Sequence, residues 1–154
     1  MKNRPLSIIL QIGTILSALF VLFIFLVYVP EIANYFRGYA PEFAGYYWPM
    51  LISVEAIGVA CLIALAFFWK ITLNIRRNRT FTRSSQNAMR VIAGCATFAF
   101  LVLFIWTPFV PGFPEALLFL MGAFAAAIIA VACWALAYLV GQAARLQDDY
   151  DLTV

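Results

Sequence analysis

The 154 residues are 66% hydrophobic and 11% charged, with a mean hydropathy of +0.96 and a net charge of +3. Soluble domains carry about 45–50% apolar and about 25% charged residues, so this composition excludes a water-soluble globule and points to an integral membrane protein. Histidine is absent, which excludes His-based catalytic pairs, and Cys61, Cys95 and Cys133 sit in separate apolar runs without a CxxC pattern, which argues against a structural zinc site and a disulfide framework and for small packing residues.

Met1 to Pro5 is a basic head carrying Lys2 and Arg4. Leu6 to Val29 is an apolar run too long for the signal-peptide core of about 7–15 residues, and it predicts a retained first span over about 6–29. Glu31 to Trp48 follows as a first external loop rich in Tyr, Phe and Trp, with Pro30, Pro41 and Pro49 as punctuation. Its rings suit an interfacial aromatic belt, and it is long enough for a short surface helix. Met50 to Ile75 is the second span. Ser53 and Glu55 lie near its outer end, and Lys70 lies near its inner end, where the ammonium reaches headgroups. Glu55 is an intramembrane carboxylate and a functional candidate by default; the structural alternative is that it reaches water or Arg37.

Asn74 to Arg90, NIRRNRTFTRSSQNAMR, then gathers Arg76, Arg77, Arg79, Arg83 and Arg90. A basic stretch between two apolar runs reads as a cytoplasmic hairpin. Thr82, Ser84 and Ser85 are the N-cap candidates for a third span over about 87–106. TPFVPGFPE, Thr107 to Glu115, is a second external turn. The fourth span, about 115–141, is rich in small residues, with Gly122, Ala126 and Ala130 at four-residue spacing and Ala123, Ala127, Ala137 and Gly141 nearby. Such a face lets helices approach closely in lipid, within the bundle or across a homodimer through the fourth span. Residues 142–154 form a polar tail on the hairpin's side, read either as disordered or as a docking end that adds as a strand or enters a groove.

The fold expected is all-α: one transmembrane domain, residues 1–154, forming an integral membrane four-helix bundle with both termini in the cytoplasm. In that orientation Lys2, Arg4, Lys70, Arg76, Arg77, Arg79, Arg83, Arg90 and Arg145 are cytoplasmic and only Arg37 is outside, as the bias of basic residues in short loops requires. The basic hairpin would meet anionic lipid headgroups or clasp Asp148, Asp149 and Asp151 of the tail; no direct nucleic-acid contact is expected. There is no GxGxxG, no GxxxxGK[ST], no HExxH and no pair of membrane carboxylates. With the acid–base machinery missing, a non-enzymatic protein without cofactor or metal is expected.

Leu73-Asn74-Ile75-Arg76, Arg79-Thr80-Phe81-Thr82 and Asn87-Ala88-Met89-Arg90-Val91-Ile92-Ala93-Gly94, together with the ending Asp151-Leu152-Thr153-Val154, carry a resemblance. The layout and these stretches resemble a family of small four-span bacterial membrane proteins, domain of unknown function family 2975. Phe81, Asn87, Arg90, Ile92 and Gly94 match its polar stretch after the second span, whereas Met89 and Val91 replace more usual leucines and Ala93 is inserted before Gly94. The resemblance implies a bacterial inner-membrane protein encoded beside a small helix-turn-helix DNA-binding regulator, which it would hold or release. The expected docking residues are Arg76, Arg77, Arg79, Phe81, Asn87, Arg90, Asp148, Asp149, Asp151 and Leu152. A rival of another class is a small oligomeric permease or channel with Ser53, Glu55, Tyr47 and Trp48 around an outward-facing cavity. A third reading is a sensor or immunity factor for membrane-active peptides, using the Tyr35 to Trp48 loop.

Overall fold

The structure is a computed structural model that describes residues 4–153, without the side chains of Phe43 and Thr153. Lys2 and Val154, which enter the charge bias and the tail motif, lie outside the described residues. The elements are α1 (Arg4–Phe23), a π-helical turn (Ile24–Tyr28), α2 (Val29–Tyr39), a 3-10 turn (Pro41–Phe43), α3 (Tyr47–Arg76), α4 (Arg83–Trp106), a second 3-10 turn (Thr107–Phe109) and α5 (Phe113–Thr153). No strand occurs among the described residues, and four helical stretches are long and apolar enough to cross a membrane: Arg4–Tyr39, Tyr47–Arg76, Arg83–Phe109 and Phe113–Leu152. The chain is an all-α, four-span bundle. Its basic end holds the hairpin and the C-terminal end of α5; its aromatic end holds the two other connections.

The first helix runs on past Pro30, where the sequence suggested a stop. Proline offers no N–H, so a helix loses a bond there in any case. The π turn absorbs this loss one step earlier: the Val29 N–H donates to the Ile24 carbonyl, five residues back. A π turn accommodates one extra residue, and the extra residue is visible in the burial pattern. Ser7 and Thr14 face inward at 0% and 6% exposure and Val21 is half-buried, but the positions of that sevenfold series once the π turn has begun, Tyr28 and Tyr35, are 56% and 67% exposed. Val29 and Phe36, one residue later, face inward instead. The same turn lays the Phe25 ring on α3, where a Cβ added to Gly58 would come within 2.6 Å of it.

Between α3 and α4 the chain turns on Asn78, whose φ is 56°. Its N–H donates to Ile75 O at 3.1 Å and the Arg79 N–H donates to Asn74 O at 2.9 Å, the paired bonds that close a helix with a left-handed residue. Asparagine tolerates that conformation better than other side-chain-bearing residues. Thr82 caps α4, accepting from the Ser85 N–H at 3.3 Å, so the expected cap is found at the first of the three candidates. The opposite turn uses Gly112, with φ +90°.

Helices pack mainly with their chain neighbours: α1 on α3, α3 on α4 and, most extensively, α4 on α5; α1 and α5 make at most marginal contact. The small residues of α5 face α4. Ala123, Ala130, Ala137 and Ala144 recur every seven residues at 1%, 7%, 2% and 3% exposure, the spacing of shallow left-handed helix packing. A Cβ on Gly122 would lie 3.3 Å from Leu103, and one on Gly141 would run into the Gln86 amide. Trp134 Nε1 donates to Thr97 Oγ1 at 3.2 Å. With the small-residue face occupied inside the chain, α5 presents large apolar side chains outward, among them Phe124, Ile128 and Val131.

Candidate functional site at the basic end

A polar clamp ties three helices together at the basic end of the bundle. Ser7 Oγ donates to Thr72 O at 3.3 Å, and both residues are fully buried. Thr72 Oγ1 donates to Phe68 O at 3.0 Å within α3. Two residues on, Asn74 Nδ2 donates to Ser85 Oγ at 3.1 Å, which in turn lies 3.4 Å from Thr82 Oγ1. The hairpin is thus tied across its own base, from the last turn of α3 to the first turn of α4. Ser7 and Thr72 gave no sign in the sequence of belonging with Ser85, because isolated hydroxyls inside apolar runs carry no spacing signal. Ser85→Ala would leave the half-buried Asn74 amide without its acceptor, a cost of about 1 kcal/mol. It is expected to lower the unfolding midpoint in mixed micelles, whereas Ser84→Ala leaves it within about 0.5 kcal/mol.

The clamp turns the charged residues outward. Arg76, Arg77, Arg79, Arg83, Asn87 and Arg90 are all exposed, and Phe81 is 51% exposed among them. The tail is not an unstructured end: α5 continues unbroken to Thr153. From Gln142 it extends about 18 Å at about 1.5 Å per residue. Ala143, Ala144, Arg145, Leu146 and Gln147 are strong helix formers and no proline follows Pro114, which accounts for the continuation. Leu146, Tyr150 and Leu152 are 70%, 71% and 85% exposed, and Asp148, Asp149 and Asp151 are exposed beside them. Among the described residues no ion pair joins these aspartates to the hairpin arginines, so the clasp considered from the sequence is not formed. The expected docking residues therefore share one end of the bundle as two separate surfaces, a basic turn and an acidic–apolar helical arm.

The aromatic end is arranged differently from the sequence expectation. Glu31 to Tyr39 belongs to α2 rather than to a loop, and the Tyr47 hydroxyl donates to Asn34 Oδ1 at 3.1 Å. A cavity of about 360 Å³ opens there between α2, α3, α4 and α5. Of the four residues expected around an outward cavity, Tyr47 lines it and Ser53, Glu55 and Trp48 do not. Ser53 Oγ donates to its own helix at Pro49 O, 2.6 Å away. Glu55 is half-buried and has no hydrogen bond or ion pair among the described residues; Arg37, its suggested partner, instead lies over the Tyr47 ring at 5.4 Å. No group of His, Cys, Asp or Glu among the described residues is arranged to hold a metal.

The family described as protein of unknown function (DUF2975) matches residues 31–154, which takes in α2 to α5, the hairpin and the helical arm. The chain belongs to the DUF2975 family. The DUF2975 match leaves out α1 and includes both ends of the bundle, the aromatic turn and the clamped hairpin alike. No curated protein and no solved structure matches this DUF2975 chain.

Proposed function

We propose that this protein is a non-enzymatic regulatory membrane protein of the bacterial inner membrane, with its basic end in the cytoplasm, that docks a soluble partner there. The single observation that carries this reading is the arrangement at the basic end. A hairpin fixed by Asn74, Thr82 and Ser85 holds its arginines outward, and the arm of α5 stands beside it with Leu146 and Leu152 70% and 85% exposed. Apolar side chains so exposed beyond the spans favour a protein surface over water. The family resemblance supplies the class of partner, a small helix-turn-helix regulator encoded nearby.

The two surfaces divide the work. Arg76, Arg77, Arg79, Arg83 and Arg90 gain about 1 kcal/mol each from anionic headgroups, which anchors the hairpin and sets the orientation. Asp148, Asp149, Asp151 and Leu152 are left for the partner. A second copy of the chain would meet the large apolar face of α5, since its small-residue face is packed on α4. Removing Asp148 to Val154 is expected to abolish co-purification of the regulator with the membrane protein while leaving membrane insertion intact. Unchanged co-purification would overturn the docking role. A reporter fused after the arm is expected to score cytoplasmic, and the opposite result would overturn the orientation.

A further inference from the structure

The cavity at the aromatic end has no part in docking at the basic end, and its chemistry is specific. Its wall on α2 is Val29, Ile32, Ala33, Phe36 and Arg37, spaced as one face of a helix. That face points inward only because the π turn at Ile24–Tyr28 inserts its extra residue just before it; π turns are frequent at functional sites. The opposite wall comes from α3, Leu103 of α4, Pro111 of the turn before α5, and Leu118 and Phe119 at the head of α5. The lining is almost wholly apolar, and two charged residues stand in it, Arg37 and Glu115. They are not equivalent. Glu115 lies against Gly112 in the first turn of α5, where the positive end of the helix holds a carboxylate. Arg37 has no carboxylate partner among the described residues; its guanidinium rests on the Tyr47 ring, which orients it and leaves its N–H donors available.

We infer that this cavity binds a single-chain carboxylate amphiphile, its chain in the apolar pocket and its head on Arg37. A volume of about 360 Å³ lies in the range of small-molecule sites, about 300–1,000 Å³. At about 30 Å³ per water-sized group it holds about a dozen heavy atoms, the size of a ten-carbon carboxylate. A guanidinium meets a carboxylate with two parallel N–H···O bonds. The cavity is walled by α2 on one side and the head of α5 on the other, and these two helices make at most marginal contact, so a chain dissolved in the bilayer has a route in between them.

The test is binding of radiolabelled decanoate to the full-length protein in phosphatidylcholine nanodiscs. Saturable binding is expected, displaced by unlabelled decanoate but not by decyltrimethylammonium. Arg37→Gln should weaken it at least about tenfold, the loss of one charge-assisted contact, and Arg37→Lys should retain more of it. Ala33→Trp, which fills the pocket from the α2 wall, should abolish it, with helical content checked by circular dichroism; Arg37→Gln carries the test if that variant fails to fold. Absence of saturable binding, equal displacement by the cationic amphiphile, or unchanged affinity in Arg37→Gln would overturn the inference. Displacement by a two-chain phosphatidylglycerol as effective as by decanoate would assign the cavity to phospholipid and overturn it as well.

Discussion

Ala137→Leu is expected to separate α4 from α5 and to cost about 3 kcal/mol, at the upper end of what inserting side-chain bulk into a packed core costs. Ala137 is 2% exposed. The antiparallel pairs Gly141 with Gln86 and Trp134 with Thr97 bracket it, so it faces the stretch of α4 that contains Ala88 and Ala93, themselves 1% and 0% exposed. Alanines on both sides mean the backbones meet closely there. In lipid that closeness is the main attraction, because apolar side chains gain nothing by leaving one hydrocarbon for another. A leucine forces the helices apart and forfeits contacts along the whole series Ala123, Ala130, Ala137 and Ala144. Ile128→Leu, on the outward face at 56% exposure, is the matched control and should stay within about 0.5 kcal/mol. Unfolding in mixed micelles, followed by tryptophan fluorescence and circular dichroism, separates the two. Equal midpoints would show that the alanine series is not what joins α4 to α5.

Inserting one alanine between Leu26 and Val27 is expected to abolish the aromatic-end cavity while leaving the basic end intact. One added residue turns everything beyond it by about 100°. Val29, Ile32, Ala33, Phe36 and Arg37 then leave the wall, and Asn34 leaves the Tyr47 hydroxyl. The reverse change behaves differently. Deleting Leu26 removes the extra residue of the π turn and keeps Val29 and Phe36 in phase with Ser7 and Thr14. Pro30 then falls in an ordinary α turn, where its ring and missing N–H cost about 3 kcal/mol, so the deletion must be made with Pro30→Ala. The paired variant should keep a Tyr47-to-α2 cysteine cross-link that the insertion loses. Identical cross-linking in both would show that α2 is not phased by the π turn.

Span number and the inside of the hairpin were legible in the sequence because both rest on one-dimensional quantities. Apolar length marks a crossing, and the hydroxyl residues Thr82, Ser84 and Ser85 ahead of an apolar run mark a helix start. The helix ends were less legible. Pro30 argues for a stop when read alone, and only the five-residue bond from Val29 to Ile24 shows how the helix passes it. The arm beyond Gln142 lost its apolar pattern on leaving the bundle, so helix-forming residues there looked like a mere polar tail. The clamp was hidden for another reason. Ser7 and Thr72 are far apart in the chain, and their contact depends on how α1 lies on α3. The cavity likewise depends on which turn faces inward, and the register change at Ile24–Tyr28 moved that face from Tyr28 and Tyr35 to Val29 and Phe36. Glu55 drew attention as a charge in an apolar run, whereas the charged residues that line the pocket are Arg37, in the aromatic stretch, and Glu115, in the first turn of α5.

The uninterrupted course of α5 has a mechanical consequence. Glu115 and Leu118 at one end and Leu152 at the other belong to a single stiff lever of 41 residues, about 60 Å long at about 1.5 Å per residue. It has no proline after its first turn to act as a hinge. Tilting such a lever by about 5° about its aromatic end sweeps the far tip through about 5 Å, roughly the pitch of one helical turn. A tilt around Leu118 large enough to slide α5 on α4 would therefore be carried, magnified, to Leu152 at the other end of the bundle.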